Sequence, residues 1–248
     1  MFALNTEVNR LESLLAQTQG EQQVPVLVML AWHLRQRDSK RASELVLQAQ
    51  ALLDQANLLP AQRASYATRL LLTQAEIKWL FAELDQAQTL ADQALAAFSR
   101  QEDALAAADA HWLRACIAID RGLHQVRDEE LAQVIKQAEQ GGDPLRVALA
   151  EACIARWAVF GDAHAAELRW GRRFAAKPQD IPTALACWVN DFIALVATHN
   201  NDFAKAAKHF LLARDAAIQT GQVRVAIIAT TNLGENFTML NDHQTSLD

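Results

Sequence analysis

The feature that most constrains this chain is a pattern that returns at long intervals. Residues Ala42, Ala87, Leu131, Ala166, Ala206 and Ser246 recur every 35 to 45 positions. Three of them stand four residues after an acidic turn residue: Asp38 before Ala42, Asp162 before Ala166 and Asp202 before Ala206. Beyond the marker a second spacing repeats, four residues and then three, as in Ala42-Val46-Ala49, Ala87-Ala91-Ala94 and Ala206-Phe210-Ala213. Small residues at those points let one helix of a pair lie close against its neighbour. A period of this length predicts stacked helix pairs, each unit lending the next an apolar flank to bury.

The segments between the markers read as amphipathic helices. Leu185-Trp188-Val189-Phe192-Ile193-Val196 and Ala87-Leu90-Ala91-Ala94-Leu95-Phe98 both carry the one-sided apolar stripe of a half-buried helix. The breaks carry the chemistry of helix ends. Gly141-Gly142-Asp143-Pro144 combines a C′ glycine, an Asp N-cap and a proline at the first helical position. Gly161-Asp162, Lys177-Pro178 through Ile181-Pro182, Asn200-Asn201-Asp202 and Thr220-Gly221 punctuate later helices, in breaks of about half a dozen residues at most. With 48 alanines and 34 leucines among 248 residues, composition favours helix. No run of β-rich segments separated by turns is present. The expectation is an all-α chain without a linker: residues 1–248 as a single domain, an N-terminal helix over 1–20 and repeats over 22–248.

Charge and motif content exclude several functions. A net charge of −6 argues against nucleic-acid binding, which calls for a basic stripe. No eighteen-residue apolar run is present to span a membrane, and MFALNTEVNR lacks the basic and apolar regions of a signal peptide. Cys116, Cys153 and Cys187 are odd in number and widely spaced, which suits a reducing cytoplasm and buried thiols more than a disulfide framework or a metal site. The seven histidines are scattered. Gly141-Gly142-Asp143 resembles the start of a GGDEF signature, but Pro144 follows, so it reads as helix punctuation. Glycine-rich phosphate loops and a serine nucleophile elbow are both absent. Hence the expectation is no enzyme, no cofactor, no metal and no catalytic residue. Six tryptophans (Trp32, Trp79, Trp112, Trp157, Trp170 and Trp188) admit two readings, as fillers between alanine-rich helices or as ligand-stacking rings.

The last repeat, Asn232-Leu233-Gly234-Glu235-Asn236-Phe237-Thr238-Met239-Leu240-Asn241-Asp242, resembles the tetratricopeptide repeat family. It has the family's Leu-Gly pair, an aromatic three residues on, a leucine and the acidic turn. Asp202, Ala206, Phe210 and Ala213 match the second-helix signature, whereas Ala75 stands where the first-helix glycine belongs and Leu131 replaces the usual Ala. The resemblance implies a right-handed solenoid of about five and a half antiparallel helix pairs. Its sixth unit stops at Ser246-Leu247-Asp248, barely into a second helix, so the natural protein is expected to continue. It also implies a concave face built from the first helices, carrying Leu27, Ala31, Glu76, Trp79, Glu151, Trp188, Asp191, Leu195 and Glu235. Such a face, apolar with an acidic column and no lysine clamp, would suit a basic or apolar peptide, or the chain's own output domain, and would repel an acidic tail. Leu30 through Asp38, followed by Lys40-Arg41-Ala42, resembles tetratricopeptide heads that precede GGDEF diguanylate cyclase domains. By that resemblance the chain would sense a ligand or partner, or set homodimerisation of an output domain. Two alternatives stay open: the sensing arm of a LuxR-type transcription activator, and a free-standing assembly scaffold.

Overall fold

The computed structural model describes residues 1–174 and 181–240. Among them are twelve α-helices and no strand: α1 (Asn5–Gln17), α2 (Gln23–Leu34), α3 (Ser39–Gln55), α4 (Pro60–Leu80), α5 (Leu84–Arg100), α6 (Ala104–Asp120), α7 (His124–Gln140), α8 (Pro144–Ala158), α9 (Ala163–Trp170), α10 (Thr183–His199), α11 (Phe203–Thr220) and α12 (Val223–Met239). The even-numbered helices open successive pairs, and their starts fall within the 35 to 45 residue period. The described residues form two compact units, Ala3–Val147 with Met1, and the residues from Ala148 onward with Phe2. The boundary falls inside α8.

One turn builds most of the connections. In six of them the residue before the next N-cap has positive φ: Ala82 (60°), Glu102 (56°), Gly122 (70°), Gly142 (69°), Asn201 (60°) and Gly221 (70°). The residue after it donates its N–H to the carbonyl five positions back, as Asp103 to Phe98, Asp143 to Ala138 and Asp202 to Ala197. This is the Schellman closure, which satisfies carbonyls left over at a helix end. Acidic residues then cap the next helix. Asp38, Asp103, Asp162 and Asp202 each accept the N–H three residues on, and Asp143 accepts from Leu145 and Arg146. Gly142 therefore supplies the left-handed turn, Asp143 the cap and Pro144 the first helical residue, as the tetrapeptide implied. The connection from α9 to α10 differs: α9 is only eight residues long, a turn continues it to Phe174, and Thr183 opens α10. Lys177-Pro178 lies outside the described residues.

In the first unit each helix from α1 to α6 packs on the next, and α2 touches α4 as α4 touches α6. Opening helices are thus covered from several sides and closing helices from fewer. Burial follows. In α2, Val24, Val26, Leu27, Val28, Leu30, Ala31, Trp32 and Leu34 are all buried, the mark of a helix apolar nearly all round. In α5 only Ala87, Ala91, Ala94 and Phe98 are. That stripe is the four-then-three spacing, and alanines there permit the short interaxial distances of close helix packing. Within the second unit α10 packs on α9, α11 and α12, and α11 on α12. The markers Ala42, Ala87, Leu131, Ala166 and Ala206 are all buried; Ser246 and the segment Asn241–Asp248 lie outside the described residues. No described helix is long and apolar enough to cross a membrane.

Candidate functional site

Opening helices bury several polar side chains, among them Glu76, Asp109 and Asp191, and each needs a partner. In the first unit the partner comes from about one repeat away. Glu76 on α4 is buried, and Arg35, just past the end of α2, donates Nε to its Oε2 at 2.6 Å. Gln36 donates to the other oxygen at 2.6 Å. Arg35 also donates to the Trp32 carbonyl and lies with its guanidinium 3.6 Å from the Trp32 ring centroid. Arg69, one helical turn and more before Glu76, lies over the same ring at 4.8 Å and donates to Asp109 on α6 at 2.8 Å. Arg146, in the first turn of α8, closes on both Asp109 oxygens at 3.0 and 3.1 Å and also pairs with Asp143. Three arginines and three carboxylates therefore link α2, α4, α6 and the start of α8.

The electrostatics of Asp109 follow from that company. Burial by itself would push its carboxyl up, but the terminal amino group, Arg69 and Arg146 outweigh burial and hold it well below the usual carboxylate range. Arg146 is driven the other way: burial pulls its guanidinium down, and Asp109 and Asp143 more than reverse this, so it stays protonated.

The acidic column expected from the sequence is therefore not a free negative surface. Glu76 is bound to Arg35, Asp191 to Arg156 (2.5 Å) and Glu151 to Arg173 (2.6 Å). Repulsion of acidic tails does not follow from carboxylates already neutralised in this way. Glu235 is exposed on α12. Leu27, Ala31 and Leu195 are buried in the packing of α2 and α10. Trp79 and Trp188 are buried as well; the Trp79 indole donates to Asp120 at 2.7 Å and that of Trp188 to Gln222 at 2.8 Å. Both rings fill the interior of their units, which is the filler role.

The second unit sets neutral amides beside its charged pairs. Gln222, buried before α12, receives the Trp188 indole and donates to the Ala184 carbonyl, the Thr220 hydroxyl and the Cys187 thiol, each at 3.0 Å. Thr198 donates to Asn236 at 3.2 Å. Asp191 has one arginine, and its Oδ1 has no hydrogen-bond partner. Burial pushes its carboxyl above the ordinary value despite Arg156, and burial and Asp191 together push the Cys187 thiol far up. Such a thiol is an inert packing group.

Sequence reasoning missed the arginines Arg35, Arg69, Arg146 and Arg156, and the histidine links. His111 meets Glu130 at 2.6 Å and His209 meets Asn190 at 2.8 Å, both nineteen positions apart and both tying an opening helix to its closing helix. Charged residues one period from a buried acid were the available signal. Among the described residues, no group of three or more His, Cys, Asp or Glu side chains could hold a metal ion. No protein-family model matches this sequence, and no curated protein matches it either.

Proposed function

We propose that the chain is a non-catalytic interaction or ligand-sensing module, built as a right-handed tetratricopeptide-like solenoid, and that it serves as the N-terminal regulatory region of a bacterial signalling protein of the diguanylate cyclase type. Its partner is an apolar or basic peptide, or the output domain of its own chain. The supporting observation is the neighbour pattern of the first unit, where opening helices α2, α4 and α6 lie side by side and are joined by charged pairs at one-repeat spacing. Stacking of that kind builds an extended lined surface, the geometry that repeat proteins use to hold partners. Because the charges are mutually satisfied, affinity would come from apolar contact and hydrogen bonding more than from net attraction.

A peptide array followed by calorimetry tests this reading. One-to-one complexes with apolar or basic peptides are expected. An absence of binding across all peptide classes would count against it, as would turnover of a small substrate by the purified chain.

A further inference from the structure

The first and last described helices present different outer faces. On α1 the exposed side chains are Asn5, Thr6, Asn9, Arg10, Ser13, Ala16 and Gln17, nearly all polar. That is the kind of outer face a stack of repeats needs where it meets water. On α12 the buried stripe is Ala229, Leu233 and Asn236. It is the inward side: α12 packs on α11, and Asn236 accepts from Thr198 of α10. At 3.6 residues per turn the opposite side carries Arg224, Ile227, Ile228, Thr231 and Glu235. Ile227 is 60% exposed and Ile228 37%; Thr231 and Glu235 are exposed too, and Arg224 is half-buried. By contrast α10, which opens the preceding pair, is buried nearly all round. Two neighbouring isoleucines between two charges leave apolar area on α12 that association would remove from water.

We propose that this face is a self-association surface: two copies of the chain pair through α12, antiparallel about a two-fold axis level with Ala229 and Thr230. The spacing of the face selects this arrangement. Arg224, Ile228, Thr231 and Glu235 follow one another at intervals of four, three and four residues, the seam of a two-helix coiled contact. The charges stand at its two ends, eleven residues apart, or about 16 Å along the helix. Antiparallel pairing sets Arg224 against Glu235 of the second copy and Ile228 against its Thr231, and the two-fold axis repeats each contact. Ile227 flanks the seam and covers it. Parallel pairing would set arginine against arginine and glutamate against glutamate, an arrangement that like charges oppose. A single face thus supplies both halves of a charge-complementary contact, which fits a second copy of the same chain. One helix pair lies at the small end of specific interfaces, so the association is reversible and depends on concentration. This surface goes beyond the interaction-module reading and uses none of the opening helices of the first unit.

Sedimentation equilibrium of the full chain over a wide range of concentrations tests this, with circular dichroism to show that each variant keeps its helices. The parent is expected to show a reversible monomer–dimer equilibrium. Ile228→Asp should raise the dissociation constant about tenfold or more. Arg224→Glu and Glu235→Arg, each alone, should do the same, because each brings like charges together at both ends of the seam. The double variant Arg224→Glu/Glu235→Arg restores opposite charges and should return to within about threefold of the parent. That rescue requires Arg224 of one copy to face Glu235 of the other. Ile228→Asp and Glu235→Arg change exposed positions, so they keep the test decisive if Arg224→Glu disturbs the fold. A parent that is monomeric at every concentration overturns the proposal and leaves the face to another occupant. A dimer that ignores these substitutions overturns it too, as does one that the single charge reversals weaken and the double variant fails to recover. None of these outcomes bears on peptide binding, which the array and calorimetry decide separately.

Discussion

Asp109 and Asp191 occupy comparable places in the two units, each buried on an opening helix and each paired with arginine, yet burial acts on them oppositely. Asp109 lies within electrostatic reach of the terminal amino group and is gripped by Arg69 and Arg146, and together these outweigh burial and hold its carboxyl well below the ordinary range. Asp191 has Arg156 alone, with one oxygen unpartnered, and its carboxyl is pushed up. Partner number decides the sign. Removing a carboxylate from water costs several kcal/mol, roughly, and only multiple well-placed donors offset it. The first unit therefore joins its opening helices with several charged pairs, whereas the second has the Arg156–Asp191 pair beside neutral amide and hydroxyl bonds around Gln222 and Asn236.

The largest expected effects test what the units share. Ala42→Arg and Ala206→Arg each force a charge into a closed helix contact, and each should unfold its own unit, a loss above about 4 kcal/mol. Hydrogen exchange resolved by unit would show it; a variant that keeps native protection would break the small-residue register. Next comes the contrast itself. Asp109→Asn should cost about 3–5 kcal/mol by leaving two arginines short of a partner, and Asp191→Asn less than half as much. Chemical denaturation of both variants gives the ratio, and equal losses would erase the distinction.

The same contrast has a pH form. Asp109's folded value is depressed, so its contribution is present above the ordinary 3.8 and is lost only as pH falls through the lower folded value. Asp191's folded value is raised, so its unfavourable ionisation sets in as pH rises through that value and is relieved by acid. Carboxyl carbon resonances should show Asp191 titrating above 3.8 while Asp109 stays unchanged down to that pH; the reverse order would contradict the assignment. The smallest effect concerns the indoles. Trp188→Phe strands the buried Gln222 oxygen and should cost about 1–3 kcal/mol, whereas Trp79→Phe faces an exposed Asp120 that water can serve and should cost less than about 1 kcal/mol on that account. Melting temperatures that fall equally would show that packing, not the hydrogen bond, sets both.

Local chemistry was the legible part of this fold. Asp38, Asp143, Asp162 and Asp202 cap helices because a short carboxylate before a helical run has few better uses, and Gly142 marks a left-handed turn for steric reasons alone. Ala42, Ala87 and Ala206 were legible because close packing requires small side chains at a regular interval. The same turn at Ala82 and Glu102 was hidden, since neither is glycine and only the closed geometry holds their positive φ. The acidic residues Glu76, Glu151 and Asp191 could be placed on helices, but their neutralisation could not be read. Arg35 reaches Glu76 across 41 positions and Arg156 reaches Asp191 across 35, so a varying period conceals which arginine meets which acid. Trp79 and Trp188 were ambiguous for a related reason: an indole at a helical register position is buried or open according to what the next unit brings against it.

The central claim is that charged pairs one repeat apart couple successive opening helices of the first unit. A double-mutant cycle on Arg69→Ala and Asp109→Ala measures it most directly, with unfolding free energies for the parent, both single variants and the double. A coupling above about 1 kcal/mol is the expected result. Additivity within about 0.5 kcal/mol would mean that the pair is a bystander to helix packing, and the account of the first unit would fail.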